Sequence, residues 1–219
     1  MERSGEAQRS RRLRKYEAAP LAMLRDEKPP PLELISPFGP MIGRSVAAPG
    51  LVERLNRYCE PRISPDRSSE FLLPREFAFA DDESIGRRIE EFIVRWVQAV
   101  DGTAPSRVRI EAIWIVSQYA DTASPVHFHS GDVSGVLYLL APQIEAEADE
   151  EEKTYISGRR AGYINFMIGG KQRFSKSLIS FKPGVGDFLV FPGWLLHGVE
   201  PFRGSGERRS LAFNAYVDD

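Results

Sequence analysis

From Val108 to the C-terminus the chain alternates apolar and polar residues with a period of two, interrupted by Gly and Pro, and this run limits the fold more than any other feature. The segments are Val108 to Tyr119, Val126 to His129, Val133 to Leu140, Ala161 to Ile168, Ser177 to Phe181, Asp187 to Phe191 and Arg208 to Val217. They predict short, successive strands. Ahead of them the period changes. Pro49-Gly50 leads into Leu51, Val52, Leu55, Tyr58 and Cys59, and Asp81-Asp82 precede Ile85, Ile89, Phe92, Ile93 and Trp96, which is helical spacing. Helices first and strands afterwards predict an α+β fold. The strands close into a double-sheet jelly roll, a double-stranded β-helix, over 108–217, with flanking helices over 49–100 packed outside it. Leu34 to Ala48, with Pro37, Pro40 and Gly43, reads as one irregular edge strand.

Composition sets the boundaries of the argument. With 219 residues, 42% hydrophobic and 27% charged, the chain carries enough apolar mass for one core, expected over 33–219. Residues 1–32 hold Arg9, Arg11, Arg12, Arg14 and Lys15 and end in Pro29-Pro30-Pro31, which predicts a solvated basic arm. Glu145 to Glu152 reads as a solvated acidic loop. A net charge of -2 supplies no field for a polyanion, so nucleic acid is disfavoured as a partner. The single cysteine, Cys59, excludes an internal disulfide framework and any Cys-rich zinc site, and fits a reducing compartment. No apolar run is long enough to span a bilayer. Ser10-Arg11-Arg12-Leu13-Arg14-Lys15 has the look of a twin-arginine signal, but Glu17, Arg25 and Asp26 follow it, so a cytoplasmic location is expected. An exposed jelly-roll edge together with the arm leaves a homodimer open.

The three histidines occur in only two places, His127-Phe128-His129 and His197. Residues two apart on a strand face the same way, so His127 and His129 are expected to point into the barrel and offer their imidazoles to one ion. His197 is the expected third ligand, delivered just beyond an apolar strand and the Pro192-Gly193 turn. Downstream, Arg208, Ser210, Ala212 and Asn214 share one face by the same period. A guanidinium pointing into a barrel is costly unless it meets an anion, and its planar fork matches a carboxylate. Alternatively Arg209 is the inward residue, or both arginines lie on the rim.

His127-x-His129, the later Phe191-Pro192 with His197-Gly198-Val199-Glu200-Pro201, and Arg208-x-Ser210 resemble the Fe(II)/2-oxoglutarate-dependent dioxygenases. With Ser134-Gly135-Val136-Leu137-Tyr138-Leu139, they are similar to a bacterial and phage branch of that superfamily. The resemblance implies that His127 and His197 bind iron, that Arg208 with Ser210 grips the distal carboxylate of 2-oxoglutarate, and that Tyr138 donates to it. It also implies O2 as co-substrate, release of succinate and CO2, and hydroxylation of a small molecule or side chain. Trp194, Phe128 and Trp114 are candidates to line the substrate pocket.

His129 stands where most of the superfamily has a carboxylate, and a neutral imidazole there leaves the ion one charge more positive. A second register makes His129 the first ligand with Gly131 in the carboxylate place; Asp132 is the neighbouring acid. Two other readings stay open at this point. One is a cupin-like metalloprotein without 2-oxoglutarate, since Gly186, Pro192 and His197 fit its spacing. The other is a non-catalytic metal-binding scaffold.

Overall fold

Strands buried on one face alternate in hydrophobicity, while strands buried on both faces read as unbroken apolar runs, and the chain uses both kinds. The computed structural model describes residues 31–35, 39–65, 67–144, 161–170, 173 and 176–219. The acidic run 145–152 and the basic arm through residue 30 lie outside them. A short hairpin comes first, β1 (Glu33–Ile35) and β2 (Ile42–Val46). Then follow α1 (Pro49–Cys59), β3 (Ser69–Leu72), the single turn α2 (Arg75–Ala78) and the long α3 (Ile85–Asp101). The remainder is strands: β4 (Arg107–Gln118), β5 (Ser124–His127), β6 (Val133–Leu140), β7 (Gln143–Ile144), β8 (Ile164–Met167) and β9 (Leu178–Phe181). After these come β10 (Asp187–Pro192), β11 (Leu196–Val199), β12 (Gly204–Ser205) and β13 (Arg208–Asp218).

These strands form a 7-stranded sheet in the order β1-β2-β10-β6-β13-β4-β3, a 4-stranded sheet in the order β5-β11-β8-β9, and a small β7-β12 pair. Every pairing is antiparallel. The α+β double-stranded β-helix with helices at the N-terminal side is the fold observed. Strand alternation divides the large sheet between two cores. Leu137 and Leu139 of β6 and Leu211, Phe213 and Ala215 of β13 pack with Leu55, Ile89, Ile93 and Trp96 of the helices. Val136 and Tyr138 of β6, with Leu189 and Phe191 of β10, turn the other way and meet Ile164 and Phe166 of the small sheet. The helices therefore cover the outside of the large sheet. Its inner face and the small sheet enclose the barrel.

The structure departs from the sequence expectations in identifiable places. The single edge strand over 34–48 is two strands, because the chain reverses between Ile35 and Ile42 and pairs with itself. The helical region also contains β3, which extends the large sheet beside β4. His197 comes after β10 and the Pro192-Gly193 turn as expected, and it also lies on a further strand, β11, whose four residues are too few to show a period. β5 stops at His127, so His129 is not a strand residue. α3 ends where expected for an amphipathic helix, at Gly102, whose φ of 84° is left-handed and whose N–H reaches Gln98 O.

Gly135 shows how tightly neighbouring strands of the large sheet are fitted. It sits opposite Phe213 in the register, and a Cβ there would lie 2.2 Å from Phe213 Cζ and 2.5 Å from Leu189 O. The Leu189 backbone cannot give way. Gly135→Ala is expected to cost about 1–3 kcal/mol of stability through overpacking, read as a lower denaturant midpoint at unchanged slope.

Candidate metal centre

β5 and β11 lie side by side in a register that sets His127 opposite His197. Paired residues on antiparallel strands point to the same side. That side is inward, because Phe166, paired with His197 from β8, is fully buried between the sheets. His129 needs a different device, since it lies two residues past the end of β5. Its N–H donates to Gly193 O at 2.9 Å, and Gly193 N–H donates to Asp132 O at 2.8 Å. These two bonds strap the loop to the turn between β10 and β11 and bring His129 to the cluster. The approach is so close that a Cβ on Gly193 would stand 2.0 Å from Gly131 O.

Ring centroids are 4.4 Å apart for His127 and His197, 4.9 Å for His127 and His129, and 5.2 Å for His129 and His197. One ligand atom of each lies within 4.8 Å of the others, and among the described residues no carboxylate joins the group. The Nδ1 of His127 is 2.6 Å from Pro125 O, and that of His197 is 2.8 Å from Leu195 O. A carbonyl oxygen only accepts, so both Nδ1 atoms carry the proton and both Nε2 atoms keep a free lone pair. Burial pushes the His129 ring down to about 4, with His127 adding to the effect. Burial also takes His197 to about 4, opposed by the Leu195 carbonyl and assisted by His127 and His129. Both rings are neutral at pH 7. Three imidazoles gathered in this way, two of them with Nδ1 tied to a carbonyl, are a donor set that suits Fe(II) and its first-row neighbours.

Along the inner face of the large sheet, away from the histidines, lies a polar wall. Arg208 is 1% exposed. Its Nε and Nη2 donate to Gln118 Oε1 at 3.2 and 2.8 Å, its Nη1 to Glu200 O at 2.9 Å, and its Nη2 weakly to Thr122 O at 3.5 Å. Its guanidinium also lies 5.5 Å from the Phe202 ring centroid. Every one of these acceptors is neutral, and among the described residues Arg208 has no ion pair. Burial draws its pKa down, and the neighbouring Tyr138 opposes this. Ser210 pairs with Tyr138 in the register, and the buried Tyr138 hydroxyl has no hydrogen-bond partner among the described residues. Burial holds that hydroxyl in its protonated, donating form.

Arg208 is the inward arginine, but Arg209 is not on the rim. It is 4% exposed on the helix side, where it pairs with the Glu207 carboxylate at 2.6 Å and donates to Asn56 Oδ1 at 2.9 Å. Gln118 was not visible as a site residue. The available signal was the inward period of β4, through Ala112, Trp114 and Val116, which ends on a polar side chain next to Arg208. Gly131 is turned toward the backbone of Ala215, and Asp132 Oδ2 accepts from Val217 N at 3.1 Å; neither belongs to the histidine group. Trp114 meets His129 edge-on at 5.7 Å. Phe128 and Trp194 are 64% and 55% exposed, on either side of the bond from His129 N to Gly193 O.

Residues 112–214 match the family model described as "Putative 2OG-Fe(II) oxygenase". The fold is similar to that of HygX from Streptomyces hygroscopicus, solved with nickel and 2-oxoglutarate bound, at 14% identity and TM-score 0.53, covering 80% of this chain and 81% of that one. It is also similar to a Pseudomonas putida prolyl-4-hydroxylase, at 16% identity and TM-score 0.52 over 79% and 91% of the two chains. An oxidoreductase of the 2OG-Fe(II) oxygenase family from Burkholderia pseudomallei aligns at 14% identity and TM-score 0.50 over 80% and 83%. Comparison with curated proteins finds no match. Among the described residues no helix is long and apolar enough to cross a membrane.

The depressed histidines make the metal-free protein sensitive to acid. The unfolded chain takes up protons near 6.5 that the folded rings refuse until about 4, so stability is full above 6.5 and falls as pH drops toward 4. Thermal melts of the metal-free wild type across that range are expected to decline, and His197→Gln is expected to flatten the decline.

Proposed function

We propose that the chain is a 2OG-Fe(II) oxygenase, an oxidoreductase that uses Fe(II), 2-oxoglutarate and O2, and that it hydroxylates a C–H bond of a substrate presented beside the three histidines; the family-model match over residues 112–214 supports this reading. In this reading His127, His129 and His197 hold the iron, and Arg208, with Ser210 and Tyr138, anchors the distal carboxylate of 2-oxoglutarate. The observation that carries it is that one barrel holds both a cluster of three imidazoles and a buried guanidinium that no carboxylate neutralises among the described residues. A cation left in that state is costly, and an anionic ligand is what removes the cost. The neutral wall around Arg208 is hard to account for in a metal site or scaffold that takes no anion.

Each residue has a distinct task. The Nδ1–H bonds of His127 to Pro125 O on its own strand and of His197 to Leu195 O just before β11 hold the rings with Nε2 presented to the metal. The two backbone bonds at Gly193 hold His129 in place of the usual carboxylate. Phe166 and Phe191 pack against His197, with ring centroids 6.1 and 4.8 Å away, and keep water from its inner side. Arg208 donates in a fixed fork, and the protonated Tyr138 hydroxyl donates from the neighbouring strand, so a dicarboxylate is held at one end and cannot turn. Bound iron with its co-substrates supplies the oxidising chemistry: 2-oxoglutarate loses CO2 and takes one oxygen atom of O2 to become succinate, and the other oxygen goes to the substrate carbon. The exposed Phe128 and Trp194 leave the histidine side accessible to a substrate carried on a larger molecule as well as to a free one.

Anaerobic titration with Fe(II) and then 2-oxoglutarate, following the visible charge-transfer band, tests the assignment. The band is expected in wild type. His127→Ala is expected to lose the metal, while Arg208→Gln keeps Fe(II) and binds 2-oxoglutarate at least about 30-fold more weakly. A wild-type chain that binds Fe(II) and develops no band with 2-oxoglutarate overturns the reading.

A further inference from the structure

The two buried arginines of β13 are docked by the same edge of the guanidinium to side chains of the same shape, one charged and one neutral. Arg209 presents Nε and Nη2 to the Glu207 carboxylate at 2.8 and 2.6 Å. Arg208 presents Nε and Nη2 to the Gln118 amide oxygen at 3.2 and 2.8 Å. Glutamate and glutamine are isosteric, so a carboxylate would fit at position 118 and would satisfy Arg208 better than an amide does. The amide is itself held from its far end. Gln118 Nε2 donates to Ser124 Oγ at 3.0 Å, on the strand that carries His127. Gln118, 6% exposed, thus joins the large sheet to the small one and aims the guanidinium without cancelling its charge.

We infer that Gln118 determines co-substrate specificity: it orients Arg208 through a neutral oxygen, and so reserves the guanidinium charge for the distal carboxylate of a dicarboxylate co-substrate. This rests on the role given to Arg208 above. Gln118 is a positioning residue, since it acts through Arg208. Its remaining neighbours in the wall fit the same logic. The Glu200 and Thr122 carbonyls and the Tyr138 hydroxyl are all uncharged groups that orient or donate but do not neutralise. A glutamate at 118 would act as a built-in competitor for the co-substrate. The Ser124 contact would survive, because the hydroxyl can donate to a carboxylate as well as accept from an amide.

The test is Gln118→Glu in the full-length, Fe(II)-loaded protein, compared with wild type and Arg208→Gln. Two probes are titrated anaerobically, 2-oxoglutarate and 2-oxopentanoate, which has the same chain without the distal carboxylate. Gln118→Glu is expected to weaken 2-oxoglutarate at least about 10-fold and to leave 2-oxopentanoate unchanged. It is also expected to melt no lower than wild type in the absence of co-substrate, since Arg208 gains an ion pair. Equal weakening of both acids would mean a merely structural role and would overturn the inference, as would unchanged 2-oxoglutarate affinity or a lower melting temperature. A wild type with no charge-transfer band, or an Arg208→Gln chain that binds 2-oxoglutarate as wild type does, would instead strike the preceding assignment. The two failures are therefore distinguishable.

Discussion

β13 is buried on both faces, and the rest of the molecule is arranged around that constraint. It pairs with β6 on one side and β4 on the other over most of its length, so its backbone polar groups are satisfied and its alternation is locked. One face, through Leu211, Phe213 and Ala215, anchors the helices. The other presents Arg208, Ser210 and Asn214 to the barrel, all buried. A slip of one residue would exchange the two sets, placing charge among the helices and aliphatic groups in the site. Hydrophobic packing on the helix side thus sets the position of the polar groups on the other. Register shifts beside Arg209 and Ser210, and beside Asn214 and Ala215, fall at the two ends of the inward row, where bulges commonly re-aim side chains.

The electrostatics follow from the same alternation. Consecutive arginines on a strand point to opposite layers, and each layer treats its cation differently. On the helix side Arg209 is closed off by Glu207 and Asn56, a structural pair that ties β13 to α1. On the barrel side Arg208 is surrounded by amide, carbonyl and hydroxyl groups. The histidine cluster mirrors this neutrality, since burial keeps the His129 and His197 rings uncharged and no acid joins the group among the described residues. A barrel lined in this way holds a buried cation that no acid balances among the described residues.

Much of the architecture was legible because it depends on patterns that survive in one dimension. Period two over 108–217 marked β4, β6, β10 and β13, and helical spacing marked α1 and α3. The His-x-His pair, His197, Arg208 and Ser210 were legible as residue types that a barrel interior tolerates only for a reason. What escaped was short or held by partners distant in sequence. β3 and β11 are four residues each, below the length at which alternation declares itself, and β11 carries a ligand candidate. His129 was expected to face inward because of its strand, yet it lies beyond β5 and is turned in by the backbone of Gly193, which arrives from the far side of five intervening strands among the described residues.

The sequence by itself determined the α+β jelly roll and the three histidines as a cluster. It also singled out the inward row of β13, because hydrophobic period and the cost of burying imidazole and guanidinium are local properties of residue type and spacing. The tertiary structure alone decided which arginine meets an acid, which imidazole nitrogen is free, and that a glutamine on β4 aims Arg208. Those depend on which groups converge once the sheets close. Arg208 and Gln118 are far apart in the chain and share one hydrogen-bonded edge only because β13 and β4 pair in the register that their buried faces impose.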